Sequence, residues 1–200
     1  MNRFLILLII AIVAACGTES VKTAGNATSS TVQNVGLKNN AVTGAPAWVT
    51  KGTHFQRLED SRIFYGVGFS PVMGDMALQK ATADDQARAE VGRIFLLMMD
   101  VVARDYLLLA KSESILLDEN LTLSQIKDAS LTILKNTRVA GSWREIKTQT
   151  TWVNAELNLS LVKTKLAEIK ELDERFKSYF EVSASVVFER LAGKNGSQDK

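Results

Sequence analysis

Hydrophobic positions are spread unevenly along the chain. Phe4 to Val13 is an unbroken apolar run of about ten residues behind Arg3, too short to cross a hydrocarbon layer of about 30 Å as a helix. From Gly17 to about Gly44 the chain is dominated by Thr, Ser, Asn, Gly and Val, without an aromatic residue and with little periodicity, the signature of a flexible tether. Patterned sequence begins at Pro46. Ala47-Trp48-Val49 is expected as a short extended lead-in segment. Arg62 to Phe69 has the composition of a strand, and its Gly66 and Gly68 mark either a bulge or a close backbone approach. Ser70-Pro71 looks like an N-cap followed by proline at the first helical position. The helix it opens places Met76, Ala83, Ala87, Val91 and Ile94 on one face, with alanines small enough to lie close against a sheet.

Ile94 to Leu109 fits either a continuation of that helix or a switch to a strand through Phe95-Leu96-Leu97-Met98. Asp100, Arg104 and Asp105 interrupt it and argue against a membrane span. Thr122-Leu123-Ser124-Gln125 has capping-box spacing and predicts a helix to about Lys135. Two strands follow, Arg138 to Lys147 and Thr150 to Leu161. Their short link makes a hairpin the natural pairing. In the second, Trp152, Ala155 (slightly off phase), Leu157, Leu159 and Leu161 alternate with polar residues, as in a half-buried strand. Ile169, Leu172, Phe176, Phe180, Ala184, Val187 and Leu191 then recur at three- and four-residue steps, predicting a final helix that Gly193 stops. Strands in pairs with helices between and after them predict an α+β fold. It would be a small two-layer domain with an antiparallel sheet of about three to four strands over residues 46–193, and 194–200 as a polar tail. About 150 residues are enough for one domain to bury about 70% of its unfolded surface.

The apolar run ends at Val13-Ala14-Ala15-Cys16, with the only cysteine of the chain. This resembles a bacterial lipoprotein signal, Val13 standing where leucine is usual. It implies removal of residues 1–15 and lipidation of Cys16, which begins a tether over 16–45. Gly17 behind the cysteine implies sorting to the outer membrane, where Asp would imply retention at the inner one. A single cysteine excludes an intrachain disulfide. Of 24 basic side chains Arg3 leaves with the leader, and the remaining 23 face 22 acidic ones, a formal charge of +1. That balance offers nucleic acid no electrostatic footprint.

The order of motifs resembles the LPP-twenty family of bacterial outer-membrane lipoproteins, together with the related flagellar lipoproteins of the FlgP type. The likeness rests on the lipobox, the tether, Pro46-Ala47-Trp48, the strand Tyr65-Gly66-Val67-Gly68, and Ala87-Arg88-Ala89-Glu90 followed by Arg93. A late tryptophan-containing hairpin from Val139 to Leu159 and a closing helix complete it, over most of residues 46 to 190. Ile94 to Leu117 is more apolar than the family pattern. The resemblance implies an envelope protein of structural role and makes a ring or disk beneath the outer membrane, around the flagellum, a candidate assignment.

Catalytic and ligand-binding patterns are sparse. A hydrolase needs a nucleophile with a base beside it, and the single histidine, His54, sits in the polar segment Lys51 to Phe55, where a solvated loop is the simpler reading. Asp84-Asp85 is the nearest approach to a metal pair, yet adjacent residues on a helix diverge by about 100°, which marks a solvated face. Gly66-x-Gly68 lacks the third glycine of a dinucleotide fingerprint. The Asp and Arg pattern by which OmpA-like domains hold peptidoglycan is not found. Asn26-Ala27-Thr28 fits a glycosylation sequon that carries no weight in such a protein. The charges from Lys163 to Arg175 alternate in sign, as on a solvated helix.

Three aromatic residues, Trp48, Tyr65 and Trp143, are candidates for an interaction surface. Trp48, Trp143 and Trp152 could also form an aromatic ligand surface; the plainer alternative, which is preferred, puts Trp152 in the core and Trp48 over the sheet edge near the domain entry. The expectation is therefore a non-enzymatic, outer-membrane-anchored lipoprotein facing the periplasm, without cofactor or metal. Its partners would be the membrane, through its lipid, and either copies of itself, joined at an open sheet edge, or other envelope or flagellar proteins. The alternative is an envelope ligand-binding module with a pocket between sheet and helices.

Overall fold

The computed structural model describes residues 44–195. The leader, Cys16, Gly17, Asn26 and the tether up to residue 43 lie outside the described residues, as does the tail beyond Asn195. In chain order the elements are α1 (Ala47–Lys51), β1 (His54–Arg57), β2 (Arg62–Ser70), α2 (Met76–Ser112), α3 (Glu119–Leu134), β3 (Arg138–Arg144), β4 (Thr151–Asn158), α4 (Leu159–Glu168) and α5 (Glu174–Asn195). The sheet is antiparallel in the order β1-β2-β4-β3, two hairpins joined through β2 and β4. The domain is α+β, and the β3–β4 hairpin is the expected one.

Gly66 and Gly68 mark a close approach, and β2 pairs with β4 without a register shift. A Cβ on Gly66 would stand 2.2 Å from the Ala87 carbonyl oxygen, and one on Gly68 2.3 Å from the Ala87 backbone nitrogen. Ala83, Ala87 and Val91, all without exposed surface, form the helical half of this contact. Beyond it α2 stays helical through the ambiguous stretch. Phe95, Met98, Met99, Val102, Ala103 and Tyr106 keep the helical period on the buried side, while Asp100 and Arg104 pair at 3.0 Å on the exposed side. Phe55, Phe64, Phe95 and Phe188 meet edge to face, with centroids 5.2 to 5.6 Å apart, which locks the first hairpin to α2 and α5.

Several boundaries differ from expectation, each for a local reason. Residues 47–49 are helical, not extended: the Pro46 carbonyl accepts from the Val49 N–H at 2.9 Å, and Gly52, at φ +67°, ends the turn. Ser70 closes β2 instead of capping a helix. The cap of α2 is Asp75, whose carboxylate accepts from the Ala77 and Leu78 N–H groups at 2.7 and 3.2 Å. Met76, one residue inside that cap, is exposed. Thr122 is likewise inside α3, which Asp118 caps through the Leu121 N–H. The strand expected to reach Leu161 stops at Asn158, whose side chain accepts from the Ser160 N–H and starts α4. A short link through Leu172 then separates α4 from α5, which Asp173 caps by accepting from Arg175 and Phe176. The buried stripe Phe176, Phe180, Ala184 and Val187 is as expected, but α5 runs through Gly193. The charges from Lys163 to Arg175 accordingly lie on two helices and their link, with Lys163 reaching Glu181 at 3.0 Å.

Tyr106 ties α2 to the start of α5. Its hydroxyl donates to Asp173 Oδ1 at 3.1 Å, and burial, together with that hydrogen bond and the Asp173 charge, pushes its pKa from 10 to about 12. The neutral phenol therefore contributes stability in full below pH 10, lost as the pH rises towards 12. Tyr106→Phe should flatten the fall of urea midpoint between pH 10 and 12 relative to the wild type. Gly66→Ala should cost about 3 kcal/mol, since the obstruction is backbone and overpacking of this kind typically costs 1–3 kcal/mol or more. Gly74→Ala, which meets no atom within 4 Å, should be near neutral in the same urea titration.

Candidate functional site

The two faces of the sheet have different chemistry. Phe64 with Leu157, Gly66 with Ala155, and Gly68 with Val153 form cross-strand pairs on the face packed by α2. The intervening pairs lie on the opposite face in three rungs. Tyr65, Glu156 and Arg138 form one rung, extended by His54. Val67, Asn154 and Gly141 form the second, and Phe69, Trp152 and Trp143 the third. Trp48 reaches this face from α1, its Nε1 standing 3.9 Å from where a Cβ on Gly141 would be. The structure thus brings Trp48, Tyr65 and Trp143 to one side of one sheet, each half-buried, with exposed Phe69 beside them.

The aromatic rings are braced. Tyr65 stacks on His54 at 5.4 Å and 21°, and Phe69 lies against Trp152 at 4.9 Å. His54 is thereby the first residue of β1 and not a loop residue. Its ring nitrogens meet the Gly52 carbonyl at 2.7 Å and Gln56 Oε1 at 3.0 Å. At the centre, Glu156 is buried and forms an ion pair with the exposed guanidinium of Arg138. Burial, and then the hydrogen bond and charge of Glu156, raise the Tyr65 pKa above its ordinary value. Asn154 Oδ1 and Trp152 Nε1 are buried on this face without a hydrogen-bond partner.

β4 is consequently buried on both sides, contrary to the half-buried strand expected. Trp152 is even in register and Ala155 and Leu157 odd, so a period of two puts them on opposite faces. Trp152 is buried, as the plainer alternative had it, and Trp48 does cover edge strand β3. The reading of the residues missed Phe69, Asn154, Glu156 and Arg138. For Asn154 and Glu156 the signal was the even-numbered series Trp152, Asn154, Glu156, Asn158 beside the odd apolar series; Phe69 and Arg138 join them only through strand register.

A second feature lies at the end of the sheet. A cavity of about 210 Å³ separates the first turn of α2, at Met76, Gln79 and Lys80, from Ser142, Arg144 and Thr151. On the cavity wall Lys80 pairs with Asp84 at 2.8 Å, while Asp85 is exposed. Among the described residues no group of three or more His, Cys, Asp or Glu side chains is placed to hold a metal ion, and no helix is long and apolar enough to cross a membrane. In comparisons with known proteins, no family model matches the chain and no curated protein matches it.

The Glu156 pairing yields a measurable consequence. Arg138→Gln should destabilise the domain by about 1 kcal/mol, the exposed guanidinium limiting the loss, and should raise the Tyr65 pKa further because the Arg138 charge lowers it. Adding Glu156→Gln, which removes the buried charge, should recover part of that stability in chemical denaturation.

Proposed function

We propose that this protein is an outer-membrane lipoprotein, anchored through Cys16 and sorted by Gly17, whose domain faces the periplasm and makes structural protein–protein contacts. A flagellum-associated ring or disk is the leading assembly. The observation that carries the reading is the gathering of Trp48, Tyr65, Phe69 and Trp143 on one accessible sheet face while the other face is sealed by helices. Half-exposed aromatic residues held in place by neighbours give large contact area at little entropic cost. The occupant of this face is taken to be a second copy of the chain or another envelope protein, reached across about 28 residues of tether.

The sheet face is preferred to the sheet edges. β1 has four residues and ends in Arg57, and β3 has Arg138 and Arg144 at its ends and a register shift between Val139 and Gly141. Short, charged and bulged edges discourage strand addition.

A second reading, a ligand-binding module, draws on the cavity between α2 and the end of β3–β4. Further along, the helix leaves no space, because Gly66 and Gly68 already touch its backbone.

Crosslinking in intact cells, followed by affinity purification and mass spectrometry, tests the first reading. Recovery of the protein itself with other envelope or flagellar proteins is expected, lost in Cys16→Ala and sharply reduced in Trp143→Glu. Recovery of background alone, or contacts that survive Trp143→Glu and Tyr65→Ala together, would overturn it.

A further inference from the structure

We infer that two copies of this chain join through the projecting half of α2, packed antiparallel across a two-fold axis and flanked by α5. Leu97, Val101, Arg104 and Leu108 follow one another at steps of four, three and four residues, the spacing of a coiled-coil seam. They lie on the outer side of α2, with Leu97 47% and Leu108 67% exposed. α5 adds Val182 and Val186, one turn apart and 78% and 69% exposed. The two stripes meet at the ion pair of Asp105 with Arg190, 2.9 Å long, which lies one turn from Val101 and Leu108 on α2 and one turn from Val186 on α5. The apolar surface continues at Leu109 into a groove of about 680 Å³ that Tyr179 and Val182 line from α5. Exposed aliphatic side chains gathered in this way, unlike single ones scattered over a surface, mark an interface.

The charges on this side say what covers it. Acids and bases are balanced there: Asp100 pairs with Arg104 at 3.0 Å, and Asp105 with Arg190. A partner carrying one sign of charge would be repelled by half of them. A second copy brings the same balanced set. Parallel pairing would set Arg104 against Arg104. Antiparallel pairing about a point between Val101 and Arg104 sets Leu97 against Leu108, and Val101 against the stem of Arg104. The guanidinium of Arg104 then lies within about a turn of the second copy's Asp100 and Asp105. Each residue of one copy so meets in the other the residue that meets it in turn, the self-complementarity that a two-fold contact requires. The contact uses neither the lipid nor the aromatic sheet face. Together with that face it would give each copy two distinct interfaces, which lets an assembly grow beyond a dimer.

The test uses the full chain in detergent micelles, in a Cys16→Ala background so that introduced cysteines are the only ones. Sedimentation velocity is expected to find dimers. Leu108→Glu should raise their dissociation constant about tenfold or more by placing a carboxylate in the seam. Circular dichroism checks that this variant, altered at an exposed position, keeps its fold. Under mild oxidation a mixture of Leu97→Cys and Leu108→Cys chains should form disulfide-linked dimers, while either variant alone should form few. A chain that stays monomeric at every concentration reached would overturn the inference, as would dimers unaffected by Leu108→Glu. Disulfides formed as readily by Leu97→Cys alone would overturn the antiparallel register. Dimers that survive Leu108→Glu but not Trp143→Glu would move self-association to the sheet face, overturning this contact and leaving the proposed function intact. Dimers lost in Leu108→Glu and kept in Trp143→Glu would support the helical contact, whatever the sheet face binds.

Discussion

Backbone touches backbone where β2 crosses α2. Gly66 and Gly68 hold the strand against the Ala83–Ala87 turn so closely that no Cβ fits between them. That contact sets where a helix of 37 residues lies on a sheet whose longest strand has nine. At 1.5 Å per residue the helix is about 55 Å long, against about 30 Å for the strand. Half of α2 therefore projects beyond the sheet, where its apolar side needs separate cover. α5 supplies it through Phe176 and Phe180, and α3 through Ile126, Ala129 and Ile133. The other end of α2 is placed by the same contact. Its first turn lies over the end of the sheet, where Gln79 reaches the last residue of β2 and the β3–β4 turn, and the small cavity opens beside it.

Because α2 covers one side of the sheet so tightly, the other side is the one free to carry recognition chemistry. Polar and aromatic side chains alternate there along β4, and the strand buries both series. The apolar one lies under α2, and the Trp152-Asn154-Glu156 series lies under neighbouring strands' side chains and α1. Burying Glu156 costs solvation that Arg138 offsets across the strand pair, and Tyr65 adds a hydrogen bond to the same carboxylate. The result is a rigid polar centre with aromatic rings around it. Rigidity lowers the entropic cost of docking a partner there.

Helical period was legible wherever one side of a helix is buried over several turns, as in Ala83 to Ile94 and Phe176 to Val187. Gly66 and Gly68 were legible only in part: a bulge and a close backbone approach both fitted them, and only the unshifted register of β2 on β4 with the contact on Ala87 decides for the approach. Boundaries were harder. Asp75, Asp118, Asn158 and Asp173 each start a helix by accepting backbone hydrogen bonds, and such single side chains compete with Ser-Pro and Thr-x-x-Gln signals of equal local strength. The aromatic trio could be named as candidates, but placing them on one side required knowing that Tyr65 pairs with Glu156 and Trp143 with Trp152. Register is a long-range property, and no local pattern contained it.

The cavity was illegible for a related reason. Gln79 and Arg144 are 65 positions apart, and only the overhang of α2 puts them on one wall. Each is unremarkable alone: a glutamine inside an amphipathic helix, an arginine at a strand end. Together with the register of β3 on β4, which turns Ser142 and Arg144 to the same side, they line a small hollow at the end of the sheet. Because one helix carries both the glycine contact and Gln79, relaxing that contact should alter the hollow as well as the stability.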